Sequence, residues 1–499
     1  MKEHLIPTKE AETNLARASA YLAENIGSSD GHAEAMKEIV EYYTARNEVD
    51  LAAELADTIK DNFVRDNLLV KIAEKCAAAG DDEYAFQLAE AIEDYGLQAA
   101  AHERIAVQKA VRGEFAEALK ITAELNHPDD ALAAIAVRQM LDGFEIESRQ
   151  TLSKIEYPTA AIHSLQTIAA YFYDGDKREK AGESLAEAVA KSREIELPEE
   201  KIRALSAVAG QYIEAAQFDK AIEVLAAAQS ASEALDGVHR EGFLSSVSLD
   251  FLRAGSLNLA DRALDLIADK TQIAATLIGF SAEFKRQGET GDALETLEEA
   301  YAILKSQKDK EVRDSQSRFS LLGHIAAQFA ALGKVERALE IASENPLESE
   351  RDDALTQIAV VCAKTGNDEM MRQSIAALSG ENARTVALIN VSDAENSTAE
   401  NDTALKFLDE AFSLAENVPQ PAARSVLFNE ITKRFFKRGA AEKARQTASE
   451  NLQTINQIRN ESHRVVLILQ LAEIYENCGF ELNEAEKEIV AIMLRKAEW

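Results

Sequence analysis

The chain has 499 residues, 46% of them hydrophobic, with only 21 Gly and 7 Pro, and its formal net charge is −33. A surface this acidic repels phosphate backbones and anionic lipid, so nucleic acid and membrane are not expected as partners. The scarcity of turn residues argues for helix throughout.

Three cysteines, Cys76, Cys362 and Cys478, lie far apart. Their odd number suggests no disulfide framework, and a reducing cytoplasm fits. The N-terminal stretch has no apolar run of signal-peptide length, and no run of ~18 apolar residues appears anywhere. The N-x-S/T triplets at Asn396, Asn401 and Asn460 are therefore read as chance.

In chain order, residues 1–30 are expected to be an N-terminal cap. Residues 9–25 read as one amphipathic helix with Thr8 as N-cap, covering the first hairpin. A repeat then runs over 31–479. Its anchor is a small residue, found at Ala73, Ala106, Ala136, Ala169, Ala209, Ser248, Ser281, Ala326, Ala359, Ser392, Thr432 and Ala472, with Val40 in a weaker first copy. That makes 13 copies.

Seven places after the anchor comes a turn residue, Gly in nine copies (Gly80, Gly113, Gly143, Gly255, Gly288, Gly333, Gly366, Gly439, Gly479) and otherwise Asn47, Asp176, Ala216 or Ala399. Five places further on stands Ala, except at Ser148, Met371 and Glu484. Three places after the anchor, an aromatic fills eight copies. Cys76 and Cys362 occupy that slot in two more, which makes them core thiols. Lys109, Gln139 and Glu395 mark degenerate copies. The C-terminal segment 480–499 is expected to be a second cap.

The pattern predicts two helices per copy. Apolar residues at helical spacing form the first, the turn residue stops it, and the second follows at once. Small residues in both helices let their axes approach. Pro128, Pro158, Pro198, Pro346, Pro419 and Pro421 fall where a second helix hands over to the next copy, and Pro cannot sit in a helix interior. Steps between anchors vary from 30 to 45 residues, and the long ones predict lengthened helices around 184–202, 223–240, 296–318, 405–424 and 446–464.

The aliphatic–small pair, the aromatic, the Gly and the Ala stand at the spacing of the tetratricopeptide repeat family, which this chain resembles as a divergent member over roughly residues 30–485. The bulky aromatic that the family carries early in the first helix is absent; the single Trp is Trp499. The resemblance implies an all-α, right-handed α-solenoid of about 13 antiparallel hairpins with a concave groove that binds proteins or peptides.

No phosphate loop, dinucleotide fingerprint, metalloprotease motif, CxxC or calcium loop occurs, and the eight His are scattered. No cofactor, metal or catalytic set is expected. A basic residue recurs eight places before the anchor, at Arg65, Arg240, Arg318, Arg351, Arg384, Arg424 and Arg464, with Lys201 alike. Two readings stand: a cationic ladder in the groove, or bonds to acids and carbonyls at the end of the preceding helix.

The family geometry places the groove two, five, nine and twelve residues after that slot. The groove set includes Ile213, Leu249, Leu252 and Ile278 among small neighbours such as Gly242, Ser245, Ala275, Ser320 and Gly323. Such a face either takes a peptide or packs shut. A second candidate is 429–439, with Phe436 flanked by Asn429, Lys433 and Lys437. It anchors an acidic segment, or it is a helix end with cations at the dipole. The expected role is a non-enzymatic interaction scaffold or adaptor. A self-assembling structural protein and a peptide-responsive sensor are the alternatives.

Overall fold

The computed structural model describes residues 4–306, 315–394 and 401–497. Every regular element among them is a helix, 28 in all. Glu395, Asn396, Ala399 and Trp499 lie outside the described residues.

The first helix of a copy is set by its two ends. In the copy built on Ala73 it runs Asn62–Ala79, opened by Asp61, whose carboxylate accepts from the Val64 N–H, and closed by Gly80 at φ +87°. Asp81 N then donates to Cys76 O, so the carbonyl of the aromatic-slot residue satisfies the turn. The same bond recurs at Glu48→Tyr43, Lys177→Phe172, Ser256→Phe251, Lys334→Phe329 and Phe480→Tyr475.

All nine Gly turn slots have positive φ, and so do Asn47, Asp176 and Ala216, the only non-Gly residues among those described that do. The turn register read from the sequence is thus the register of the fold. Ala216 adopts φ +55° without the freedom of Gly, at a local cost of about 1 kcal/mol.

Close helix approach at the small slots is visible in hydroxyl bonds. Ser248 and Ser281 each donate across the hairpin to the carbonyl at the Ala slot, Ala260 and Ala293, both at 2.7 Å. In the copy built on Ala136 the roles are exchanged: Ser148 stands at the Ala slot and donates to Ala136 O at 2.7 Å. Its departure from Ala preserves the contact. Cys76 and Cys362 are buried, as their slot predicts, and burial pushes the Cys76 thiol up to about 11.

The long steps lengthen the second helices. Arg178–Ser192, Phe218–Glu233, Thr290–Ser306, Asn401–Ala415 and Ala441–Ile455 have 15 to 17 residues. Others, such as Val49–Asp57 and Leu257–Leu264, have eight or nine. The difference is about two turns.

The chain falls into two compact units, Met1–Ile105 with Leu355–Trp499, and Ala106–Ala354. In the first unit the two ends of the chain meet. Residues 9–25 do not form one helix: a short turn of helix, Thr8–Ala11, follows Pro7, and a separate helix Leu15–Glu24 starts at Asn14, whose side chain accepts from Arg17 N. Nor is that second helix a one-sided cap. Nine of its ten residues are buried.

Helix Leu15–Glu24 packs along Glu461–Cys478, the last first helix, and also touches Ser29–Ala45, just as Val49–Asp57 sits between Ser29–Ala45 and Asn62–Ala79. The N-terminal helix therefore takes the seat of a second helix in the last copy. Ser19 Oγ donates to Val465 O at 2.9 Å inside this contact. The C-terminal helix Glu484–Ala497 packs instead on Leu15–Glu24 and Ala441–Ile455, which accounts for Glu484 in a slot that is Ala in most copies.

Candidate functional site

The basic slot resolves first. Arg384 Nη2 donates to Ala376 O and Leu378 O, both at 3.2 Å. Arg351 donates to Asn345 O at 3.3 Å, Arg424 to Glu416 O at 3.1 Å and Arg464 to Ile458 O at 3.4 Å. These acceptors lie at or just beyond the ends of the preceding second helices, where carbonyls are unpaired and the dipole is negative. Arg65 instead binds Asp66 at 2.9 Å and Glu93 at 3.1 Å. These arginines fix the joint between copies.

A partner device went unread in the sequence. Immediately after the basic slot, Asp66 accepts from the backbone N–H of Glu93 and Asp94, Asp129 from Glu156 and Tyr157, and Glu241 from Ala268 and Asp269. Each carboxylate holds the loop that enters the next copy. The signal was an acid at a fixed place, which Asp352 shares, hidden because the remaining copies carry apolar or hydroxyl residues there.

In the unit 106–354, the face expected to line a groove is only partly open. Leu252 and Ile278 are buried and present little to a partner. Ile213 and Leu249 are half-buried. Leu249 lies over Gly279 of the adjacent first helix, where a Cβ would come within 3.3 Å of it, so this leucine closes the gap that the glycine leaves. Beside it, Ser245 Oγ and Thr276 Oγ1 share a hydrogen bond of 2.7 Å.

Further along the same face a cavity of about 660 Å³ opens among helices Gly237–Arg253, Lys270–Gln287 and Ser315–Ala331. Ala275 and Ser320, both in the expected groove set, line it with Val238, Ala268, Leu321, Thr271, Gln272 and Ser317. Among the described residues, its charged lining residues are Glu241 and Asp269. Glu241 Oε2 holds the loop amides, and Asp269 Oδ1 caps its helix through Thr271 N and Gln272 N at 2.7 and 3.1 Å. Both are therefore fixed in place, each with one carboxylate oxygen outside these bonds. Val238, 62% exposed, stands at the rim.

The candidate at 429–439 lies in the other unit and is built differently. Asn429 is buried and accepts from Asn451 Nδ2 at 2.6 Å. Lys433 pairs with Glu430 at 2.8 Å, and Arg434 binds both Glu430 and Asp393. Burial works against the Glu430 carboxylate, but bonds from Lys433 and Arg434 hold it below its ordinary range. Phe436 is 37% exposed and meets Phe480 edge-on at 6.0 Å; Lys437 is exposed. An aromatic does stand among cations, but two of those cations are already spent on acids.

Among the described residues no helix is long and apolar enough to cross a membrane, and no group of three or more His, Cys, Asp or Glu is placed to hold a metal ion.

Among the described residues each unit is all-α and built of antiparallel helix hairpins, whose small, aromatic and turn slots stand at a spacing that resembles that of tetratricopeptide repeats. No protein-family model matches the chain, and no curated protein matches it. Among solved structures it is similar to Ton1535 from Thermococcus onnurineus NA1, at 14% identity over 68% of this chain and 98% of that one, with a TM-score of 0.30. The apo form of RapI matches at 13% identity over 69% and 97%, with a TM-score of 0.30. Aspartyl phosphate phosphatase F from Bacillus subtilis matches at 12% over 87% and 96%, with a TM-score of 0.29.

Proposed function

We propose that the chain is a non-enzymatic cytoplasmic binding scaffold that holds a segment of a protein partner against the first-helix face at 237–321. The observation that carries this reading is the cavity on the expected groove face, floored by small residues and rigidly framed. A cavity of about 660 Å³ takes one or two side chains of a peptide, not a folded domain. Its two carboxylates and the net charge of −33 favour a segment in which a Lys or Arg adjoins an apolar residue.

The test is selection from a random peptide library on the full chain, with affinities then measured for wild type and Ala275→Trp. The reading expects enriched peptides rich in Lys and Arg, bound at least about tenfold more weakly by the filled-cavity variant, a loss of about 1.4 kcal/mol. Peptides that bind both proteins equally, or no enrichment at all, would overturn it.

A further inference from the structure

Tyr157 and Leu197 stand at the N-caps of the first helices Pro158–Asp174 and Pro198–Glu214 in the unit 106–354. A Ser, Thr, Asp or Asn there ordinarily bonds one of the free amides of the first turn. Neither residue makes such a bond. Both are large and open to solvent instead, Tyr157 57% and Leu197 60% exposed. The proline that follows holds each in the same extended backbone, at φ −78° and −74° with ψ 116° in both. Two successive copies thus give up a side-chain cap and present an apolar group in the same way. A local rule broken twice alike, with no packing gained in return, marks a contact surface.

The row leads to the cavity. Pro198–Glu214 packs beside Pro158–Asp174 on one side and Gly237–Arg253 on the other. His239 Nδ1 lies 2.6 Å from Glu199 Oε1, so the first turns of the latter two helices touch. Val238, at the cavity rim, is the next exposed apolar side chain after Leu197. The stretches KIEYP (154–158), REIELPEEK (193–201) and DGVHRE (236–241) hold seven acids against four Lys or Arg, so the row is acidic, as the cavity is. Glu156 and Glu196 adjoin Tyr157 and Leu197, and among the described residues neither has an ion pair. Helices packed side by side lie about 8–10 Å apart. An extended chain rises about 3.3 Å per residue, so one copy matches about three of its residues. We infer that the partner segment seated in the cavity runs on as an extended chain over Leu197 and Tyr157, with apolar residues three apart and Lys or Arg between them. This rests on the cavity reading and adds the register of the partner.

The experiment measures the affinity of library-selected peptides for the full chain as wild type, Leu197→Gln, Tyr157→Gln, Ala275→Trp and, as control, Ile146→Gln, an exposed apolar position off the row. Gln leaves the charge as it is, so a loss reads the apolar contact. The inference expects selected sequences with an apolar residue at every third place beside Lys or Arg. It expects binding weakened about fivefold by Leu197→Gln and by Tyr157→Gln, with helicity unchanged, and no effect of Ile146→Gln. Binding weakened by Ala275→Trp alone would overturn the inference and leave the cavity reading standing. Binding weakened at Leu197 and Tyr157 but not by Ala275→Trp would count against the cavity reading alone. A dimer seen by sedimentation velocity that Leu197→Gln dissolves at unchanged peptide affinity would give the row to a second copy and overturn the inference. No enriched peptide at all would overturn both readings.

Discussion

One face of the first helices does opposite work in the two units. In the unit 106–354, two places after the basic slot, it holds Ala275 and Ser320, which leave a cavity. In the other unit, nine and twelve places after that slot, Glu461–Cys478 holds Glu473 and Glu476, and these are taken up in joining the chain ends. Glu476 accepts from the Tyr42 hydroxyl and binds Arg46 at 2.6 Å, and Arg46 lies over the Tyr42 ring at 3.4 Å. Small residues on this face leave room for a guest, whereas long charged ones turn it into a joint. A repeat pattern fixes the scaffold, and what each copy does depends on four positions that the pattern leaves free.

The largest expected effect breaks the joint. Ala20 is fully buried in the N-terminal helix Leu15–Glu24, which packs along the last first helix. Ala20→Arg would bury an unpaired charge and cost about 3–5 kcal/mol. Hydrogen exchange should show new opening in 461–478 while 237–287 stays protected; uniform loss of protection would deny that the joint is local. A smaller effect concerns the turns common to both units. Gly80→Ala should destabilise by about 1 kcal/mol, whereas Ala216→Gly should stabilise by about 0.5 kcal/mol, because only the second relieves a strained φ. Denaturant melts that give both substitutions the same sign would contradict this. Comparable to the Gly80→Ala effect is Arg384→Ala, which removes the bonds to Ala376 O and Leu378 O and should lower stability by about 1 kcal/mol with peptide binding unchanged. Weakened binding at constant stability would return the arginines to the groove.

The hairpins were legible because each turn demands a left-handed residue and each helix pair demands small ones, so turn and Ala slots recur at fixed distance. Even the lengthened second helices followed from anchor spacing alone. What the pattern could not show was the pairing of Leu15–Glu24 with Glu461–Cys478, since no periodicity links residues so distant. Two hints existed: Glu484 standing where Ala belongs, and the Ala-rich run ARASAYLA at the N-terminus, too uniformly small for a one-sided cap. The site was half legible. Ala275 and Ser320 fell on the open face, but Leu252, Ile278 and Asn429 share its spacing and are buried, Asn429 against Asn451 of the following second helix. Burial of that kind depends on the partner helix, which spacing within one helix does not contain.

The most direct test of the binding face is photo-crosslinking. A photoreactive phenylalanine analogue would replace Ala275 in the cavity or, as control, Ala227 on the exposed side of the second helix Phe218–Glu233. Each protein would be irradiated with a library-selected cationic peptide. The account predicts a peptide adduct from position 275 and none from 227. An adduct from 227 alone, or from neither while the peptide still binds, would place the partner elsewhere on the molecule.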